Sequence, residues 1–314
     1  MKHKALRAAL LAAMMAAAFW AGCGQKQAAQ HGTGKSTGGQ QAPAPPVQMP
    51  TPPQGQEQVQ PTYKPASFGA QFKFVGTTSA EISVNGVPTL PPGAAQGDMM
   101  DLEDFLKPGK NTLRVQAVVP AGAKDAWVLV KLVPDTASGE WDENSPVVEV
   151  NEKPEGRELK LDKTFDFETG AARRQPWHNA EKLETLTEAD LKGLGDYLDQ
   201  MRAALANKDA LGFLNLRMCP ESWQVMAAAR GMSREACLKG AAQHIQTNLM
   251  QAEGYKAERC EKFDATACGQ LTVVRSPDFL LRASAPAKAG KAPKPLSISV
   301  LYFYKSGGKW RVFQ

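Results

Sequence analysis

Val300-Leu-Tyr-Phe-Tyr-Lys-Ser-Gly-Gly-Lys-Trp-Arg-Val-Phe313 sets the fold class of the last part of this chain. Aromatic and β-branched residues flank Gly307-Gly308, and that arrangement spells two antiparallel strands joined by a tight turn. Working back from it, residues 256–263, 269–274, 279–283 and 296–305 read as further strands. Before Gly254 the period changes. Leu191, Leu194, Leu198, Met201 and Leu205 recur every three or four residues, which puts one apolar stripe on a helix. Thr187-Glu-Ala-Asp190 supplies a capping-box start for it. Residues 209–216 and 221–230 continue as short helices, and Ser233 caps another whose stripe is Leu238, Ala241, Ile245 and Leu249. Helices followed by antiparallel strands make 187–314 an α+β unit.

Residues 67–168 follow a period of two instead. Short β-prone runs at 71–75, 80–84, 112–119, 126–133, 147–150 and 157–167 alternate with turns, of which Asn85-Gly86 and Lys107-Pro108-Gly109-Lys110 are the clearest. One helical turn fits 101–106. Many short strands at regular spacing predict an antiparallel β-sandwich. Residues 169–186, with Arg173-Arg174-Gln175-Pro176-Trp177-His178, read as a connector. The expected fold class is therefore multidomain: a jelly-roll-like sandwich followed by helices and a curved antiparallel sheet.

Ahead of these units the composition is different. Residues 1–22 carry Lys2, Lys4 and Arg7, an apolar run over 8–20, and small residues before Cys23, which is the layout of a signal peptide. The apolar run is about thirteen residues, against the roughly twenty that a spanning helix needs. Residues 23–66 are rich in Gln, Gly, Pro, Ala, Ser and Thr and predict a disordered tether. As a flexible coil its roughly forty residues reach about 35–40 Å, and the prolines lengthen that.

Three resemblances add to this reading. Ala21-Gly22-Cys23 resembles the lipobox of bacterial lipoproteins, which implies cleavage before Cys23 and acyl chains on its sulfur. Trp20 stands where that family favours leucine. Ser83-Val-Asn-Gly-Val87 with the segment 101–115 resembles part of a galactose-binding-like jelly roll, a fold attached to some glycoside hydrolases as a sugar-binding domain. The 300–313 hairpin is similar to the end of nuclear-transport-factor-2-like cone domains, in which a curved sheet wraps helices around a pocket. Members of that fold include enzymes, binding proteins and assembly modules.

The lipobox implies a cell-envelope location, on the outer membrane facing the periplasm if the organism has two membranes, since Gly24 is not the aspartate that favours inner-membrane retention. The cysteine count agrees with it. Of five cysteines, Cys23 goes to lipid and leaves Cys219, Cys237, Cys260 and Cys268 for disulfides. Three connectivities exist. The local one pairs Cys219 with Cys237 and Cys260 with Cys268. Their spacing contains no C-x2-C knuckle, so a structural metal is not expected.

Charge and motifs exclude more than they assign. The 314-residue chain carries a formal net charge of +5, which falls to +2 once Lys2, Lys4 and Arg7 leave with the signal. Nucleic acid is not a natural partner at that charge. Gly34-Lys35-Ser36 matches only the tail of a phosphate loop, with Ala29 in place of the required glycine, and nucleotide binding is not expected. Asp98, Asp101, Glu103 and Asp104 lack the alternation of a calcium loop. Lys288, Lys291 and Lys294 form a basic loop among Ala, Gly and Pro, able to touch an anionic surface.

His244 lies beside the apolar stripe of its helix and is the one candidate for a pocket, where it would serve as a general base. No catalytic set and no cofactor motif accompany it. The expected partners are the membrane, through the lipid, and an envelope protein or a glycan. The alternative is a small-ligand carrier or enzyme using a pocket in the last unit.

Overall fold

The computed structural model describes residues 64–90, 96–136, 139–286 and 293–313. Cys23, the signal segment and most of the tether lie outside the described residues. Among the described residues the chain forms fifteen strands and four α-helices.

Two four-stranded antiparallel sheets make up the first half. One has the order β4-β1-β6-β7, built from β1 (Phe68–Val75), β4 (Gln96–Asp101), β6 (Trp127–Pro134) and β7 (Val148–Glu152). The other has the order β3-β2-β5-β8, from β2 (Ser79–Val84), β3 (Val87–Pro88), β5 (Gly109–Val119) and β8 (Leu159–Thr169). Alternate residues are buried, as in Leu113, Val115, Ala117 and Val119 of β5, and inward side chains of both sheets meet in one apolar cluster. Asn85 and Gly86 both take positive φ, 53° and 79°, as a two-residue hairpin turn requires.

The turn before β5 is fixed by a side chain. Asn111 is 1 % exposed. Its Oδ1 accepts from the Lys107 N–H at 2.9 Å and from Asn85 Nδ2 at 2.8 Å, while its Nδ2 donates to the Lys107 and Gly109 carbonyls at 2.8 and 2.9 Å. One buried amide thus ties two turns together, and every one of its bonding capacities is used.

The second half opens with α1 (Glu188–Ala206), α2 (Ala210–Arg217), α3 (Pro220–Ala229) and α4 (Arg234–Ile245). Thr187 caps α1 through the predicted capping box with Asp190, and Ser233 caps α4. Leu194, Leu198, Met201 and Leu205 of α1 are fully buried in a second apolar cluster, while Leu191 is exposed. The strands are β9 (Lys256–Arg259), β10 (Asp264–Cys268), β11 (Leu271–Arg275), β12 (Leu281–Ser284), β13 (Leu296–Ile298), β14 (Val300–Ser306) and β15 (Lys309–Val312).

They form two sheets, β10-β11-β14-β15 and β13-β12-β9. The single strand expected at 296–305 breaks at Ser299 and serves both. Its neighbour does the same: β11 pairs with β14, and β12 pairs with β13. The corner is held by Ser276 N–H to the Ser299 carbonyl at 3.0 Å and Leu280 N–H to the Ile298 carbonyl at 2.6 Å.

The first apolar cluster does not stop at the end of the first half. It continues through Trp177, Leu271, Val273, Tyr302, Tyr304 and Phe313. Phe105 meets Tyr302 edge to face at 5.1 Å, the Tyr302 hydroxyl donates to the Pro88 carbonyl at 2.8 Å, and Arg275 pairs with Glu81 at 3.4 Å. The two halves therefore share one apolar cluster, with an ion pair beside it.

Candidate functional site

The stretch read as a connector is bound on both sides. Arg173 pairs with Asp104 at 2.5 Å, Gln175 Nε2 donates to the same carboxylate at 3.1 Å, and the Trp177 indole N–H donates to the Asp104 carbonyl at 3.0 Å. Burial pushes the Asp104 carboxyl above its ordinary range, and the Arg173 guanidinium opposes that. The acidic stretch weighed for calcium is thereby explained in part. Asp104 receives the connector, and Asp101 Oδ1 accepts from the Glu103 N–H at 2.8 Å as a local cap. Among the described residues no three His, Cys, Asp or Glu side chains are grouped to hold a metal ion.

His178 closes the same contact. Its Nδ1 accepts from the Gln175 N–H at 3.3 Å, so the proton sits on Nε2, which faces the Leu106 carbonyl at 3.0 Å. Burial lowers its pKa, with Lys107 and Arg174 acting in the same direction. Gln270 Nε2 donates to the His178 carbonyl at 2.5 Å from the second half. The residues around His178 thus join the halves.

The cysteine count points to disulfides among Cys219, Cys237, Cys260 and Cys268. Cys219, Cys237, Cys260 and Cys268 are free thiols. Each expected pair is divided between the two clusters: Cys219 and Cys268 belong with the first, Cys237 and Cys260 with the second. Proximity in sequence is overridden by which core each element serves. Cys219 starts α3, with Sγ 3.1 Å from the Ser222 hydroxyl, and burial pushes the Cys268 thiol up to about 11.

His244 stands near the end of α4, half-buried, with Asn248 Nδ2 at 3.0 Å from its Nδ1. It lines a hollow of about 70 Å³ together with Ile245, Asn248, Leu249, Lys294 and Leu296. Among the described residues that line it there is no carboxylate, and it lies beside β13. Lys294 of the basic loop reaches it, whereas Lys288 and Lys291 lie outside the described residues.

A larger groove of about 570 Å³ opens elsewhere, where the β9–β10 loop faces the β11–β12 loop. Its lining includes Arg259, Cys260, Lys262, Phe263, Ser276 and Phe279. Arg259 is anchored by Asp199 of α1 at 3.3 Å and donates to the Cys260 carbonyl at 2.8 Å. Burial raises the Cys260 thiol. Two half-buried phenylalanines lie there beside a guanidinium, a thiol and the carboxylates of Glu261, Asp264 and Asp278, a mix of apolar and charged groups that suits an amphipathic small molecule. Sequence reasoning missed this groove because it forms only where the strands change sheet.

Among the described residues no helix is long and apolar enough to cross a membrane. No protein family, curated protein or solved structure matches this chain.

Proposed function

We propose that this chain is a lipid-anchored cell-envelope protein whose folded body binds a protein or glycan partner without catalysing a reaction. Its anchor would be acyl chains on Cys23, and one observation carries the reading: a charged start, a short apolar run and Ala21-Gly22-Cys23 in sequence. Two or more acyl chains anchor stably, at about 0.8 kcal/mol per buried methylene, where one chain holds only marginally. The location that follows is the outer membrane, facing the periplasm, in a cell with two membranes.

The finer fold reading belongs to the same proposal. The two four-stranded sheets form a jelly-roll-like sandwich, and α1–α4 with the bent β9–β15 sheet form a cone-like unit. The tether leads directly into the first, since the Ala66 N–H donates to Asp135 Oδ1 at 3.0 Å and the Pro65 carbonyl accepts from Gly170 at 2.6 Å.

A second reading, a small-ligand carrier, is favoured by the groove around Arg259, Cys260 and Phe279 rather than by His244. Replacing Cys23→Ala should release the protein from membranes and leave its fold unchanged, read by membrane fractionation and circular dichroism. An unchanged membrane fraction, or an unacylated Cys23 in mass spectra of the native protein, overturns the anchor.

A further inference from the structure

The solvent side of the β4-β1-β6-β7 sheet carries an ordered lattice that neither reading uses. Gln71, Lys73 and Val75 alternate outward along β1, and Trp127, Leu129 and Lys131 do so along β6. Glu149 and Asn151 of β7 are exposed, and Lys153 follows them. The registers align these residues across the sheet. Gln71 is opposite Lys131, which is opposite Glu149; Lys73 is opposite Leu129, which is opposite Asn151; Val75 is opposite Trp127.

Trp127 lies between two ammonium groups. Lys73 Nζ is 4.4 Å and Lys153 Nζ 4.8 Å from its ring centre. The indole N–H donates to Asn151 Oδ1 at 2.9 Å, which fixes the ring. Lys131 has Glu149 at 4.0 Å. Lys73 and Lys153 have no carboxylate within ion-pair distance among the described residues, so the indole is what holds both.

At the other end of β1, Gly69 is covered by Met99 and Trp141, and a Cβ there would meet the Trp141 ring at 3.4 Å. The six steps from Gly69 to Val75 make this face about 20 Å long at a strand's rise.

An ammonium over an exposed indole is held by only about 0.5–1 kcal/mol. A charge-assisted hydrogen bond to an anion is stronger, so an incoming acidic group can recruit both lysines without breaking an ion pair. Val75, Trp127 and Leu129 offer flat apolar surface, and the Gln71 and Asn151 amides offer donors and acceptors. The centre of a protein–protein interface is depleted of lysine, whereas this face has lysines at its middle.

We infer that the outer face of β1, β6 and β7 binds an extended, negatively charged glycan, whose acidic groups meet Lys73 and Lys153 and whose rings lie on Trp127 and Leu129. This deepens the proposed binding role and rests on its glycan branch.

The test uses the detergent-solubilised full chain in affinity gels containing polygalacturonate, neutral dextran or polyglutamate of matched charge density. Polygalacturonate alone should retard the protein. Lys73→Gln with Lys153→Gln should weaken that retardation at least tenfold while the thermal midpoint stays within about 2 °C, as surface changes do. Equal retardation by polyglutamate marks plain ion exchange and overturns the inference. So does an unaffected double variant or the absence of retardation. Because the gels do not depend on the anchor, a negative result with membrane attachment intact removes the glycan face and leaves the anchored protein standing.

Discussion

In the first half, β5 and β8 pair without interruption from Gly109 opposite Thr169 to Val119 opposite Leu159. In the second half no described strand pair aligns more than five residues, and both central strands break where they change sheet. The difference is one of self-sufficiency. Long continuous ladders flanked by a buried alternating face hold their own register. Short ladders need outside support, and here it comes from α1–α4 on one side and from the first half's apolar cluster on the other. The second half leans on the first more than the reverse.

Trp177 is the place to break that dependence. It is 1 % exposed, packs in the shared cluster and donates to the Asp104 carbonyl. Trp177→Ala should cost about 3–5 kcal/mol, the range for a buried aromatic truncated in a core. Urea unfolding followed by hydrogen exchange should show protection lost first in β9–β15 and retained longest in β5 and β8. Equal loss in both halves would contradict the asymmetry.

Asn111 tests the first half's independence. Asn111→Ala strands the Lys107 N–H and the Asn85 amide that it now bonds, each costing about 1–3 kcal/mol if left unpaired. The destabilisation should appear in β2, β5 and β8 exchange rates and spare the α1–α4 amides.

The smallest effect is set by pH at the contact between the halves. His178 has a lowered folded pKa, so the folded state holds it neutral. Its contribution is complete above the unfolded value near 6.5 and is lost as pH falls below it. Asp190 acts at lower pH. Hydrogen bonds from Lys305 and Thr187 bring its carboxyl down to about 2, so its contribution is complete above the ordinary carboxylate range and is lost as pH falls toward 2. Thermal midpoints measured from pH 7.5 to 5 should decline, and His178→Gln should flatten that decline. A parallel decline in the variant would assign it to other groups.

Much of the fold was legible beforehand because the signals were local. The Asn85-Gly86 turn, the Thr187 capping box and the Leu194–Leu198–Met201–Leu205 stripe each depend on neighbours within a few residues. What was not legible depended on distant packing. Residues 296–305 read as one strand since nothing near Ser299 marks a break; the break exists because Ser276, 23 residues earlier, claims its carbonyl. Strand β10 was missed for a similar reason, since Asp264-Ala-Thr-Ala-Cys268 has little apolar alternation and is held by pairing with β11.

The chain's order of residues determined its charged and then apolar start, its low charge, and the alternation of strands, helices and strands, all of which follow from short-range periodicity and composition. The tertiary structure decided which core each cysteine serves, that the connector is clamped between the halves, and that Lys73, Trp127 and Lys153 share one sheet face. Those outcomes are set by strand register and by burial shared between segments far apart in sequence, and neither is written in any local pattern.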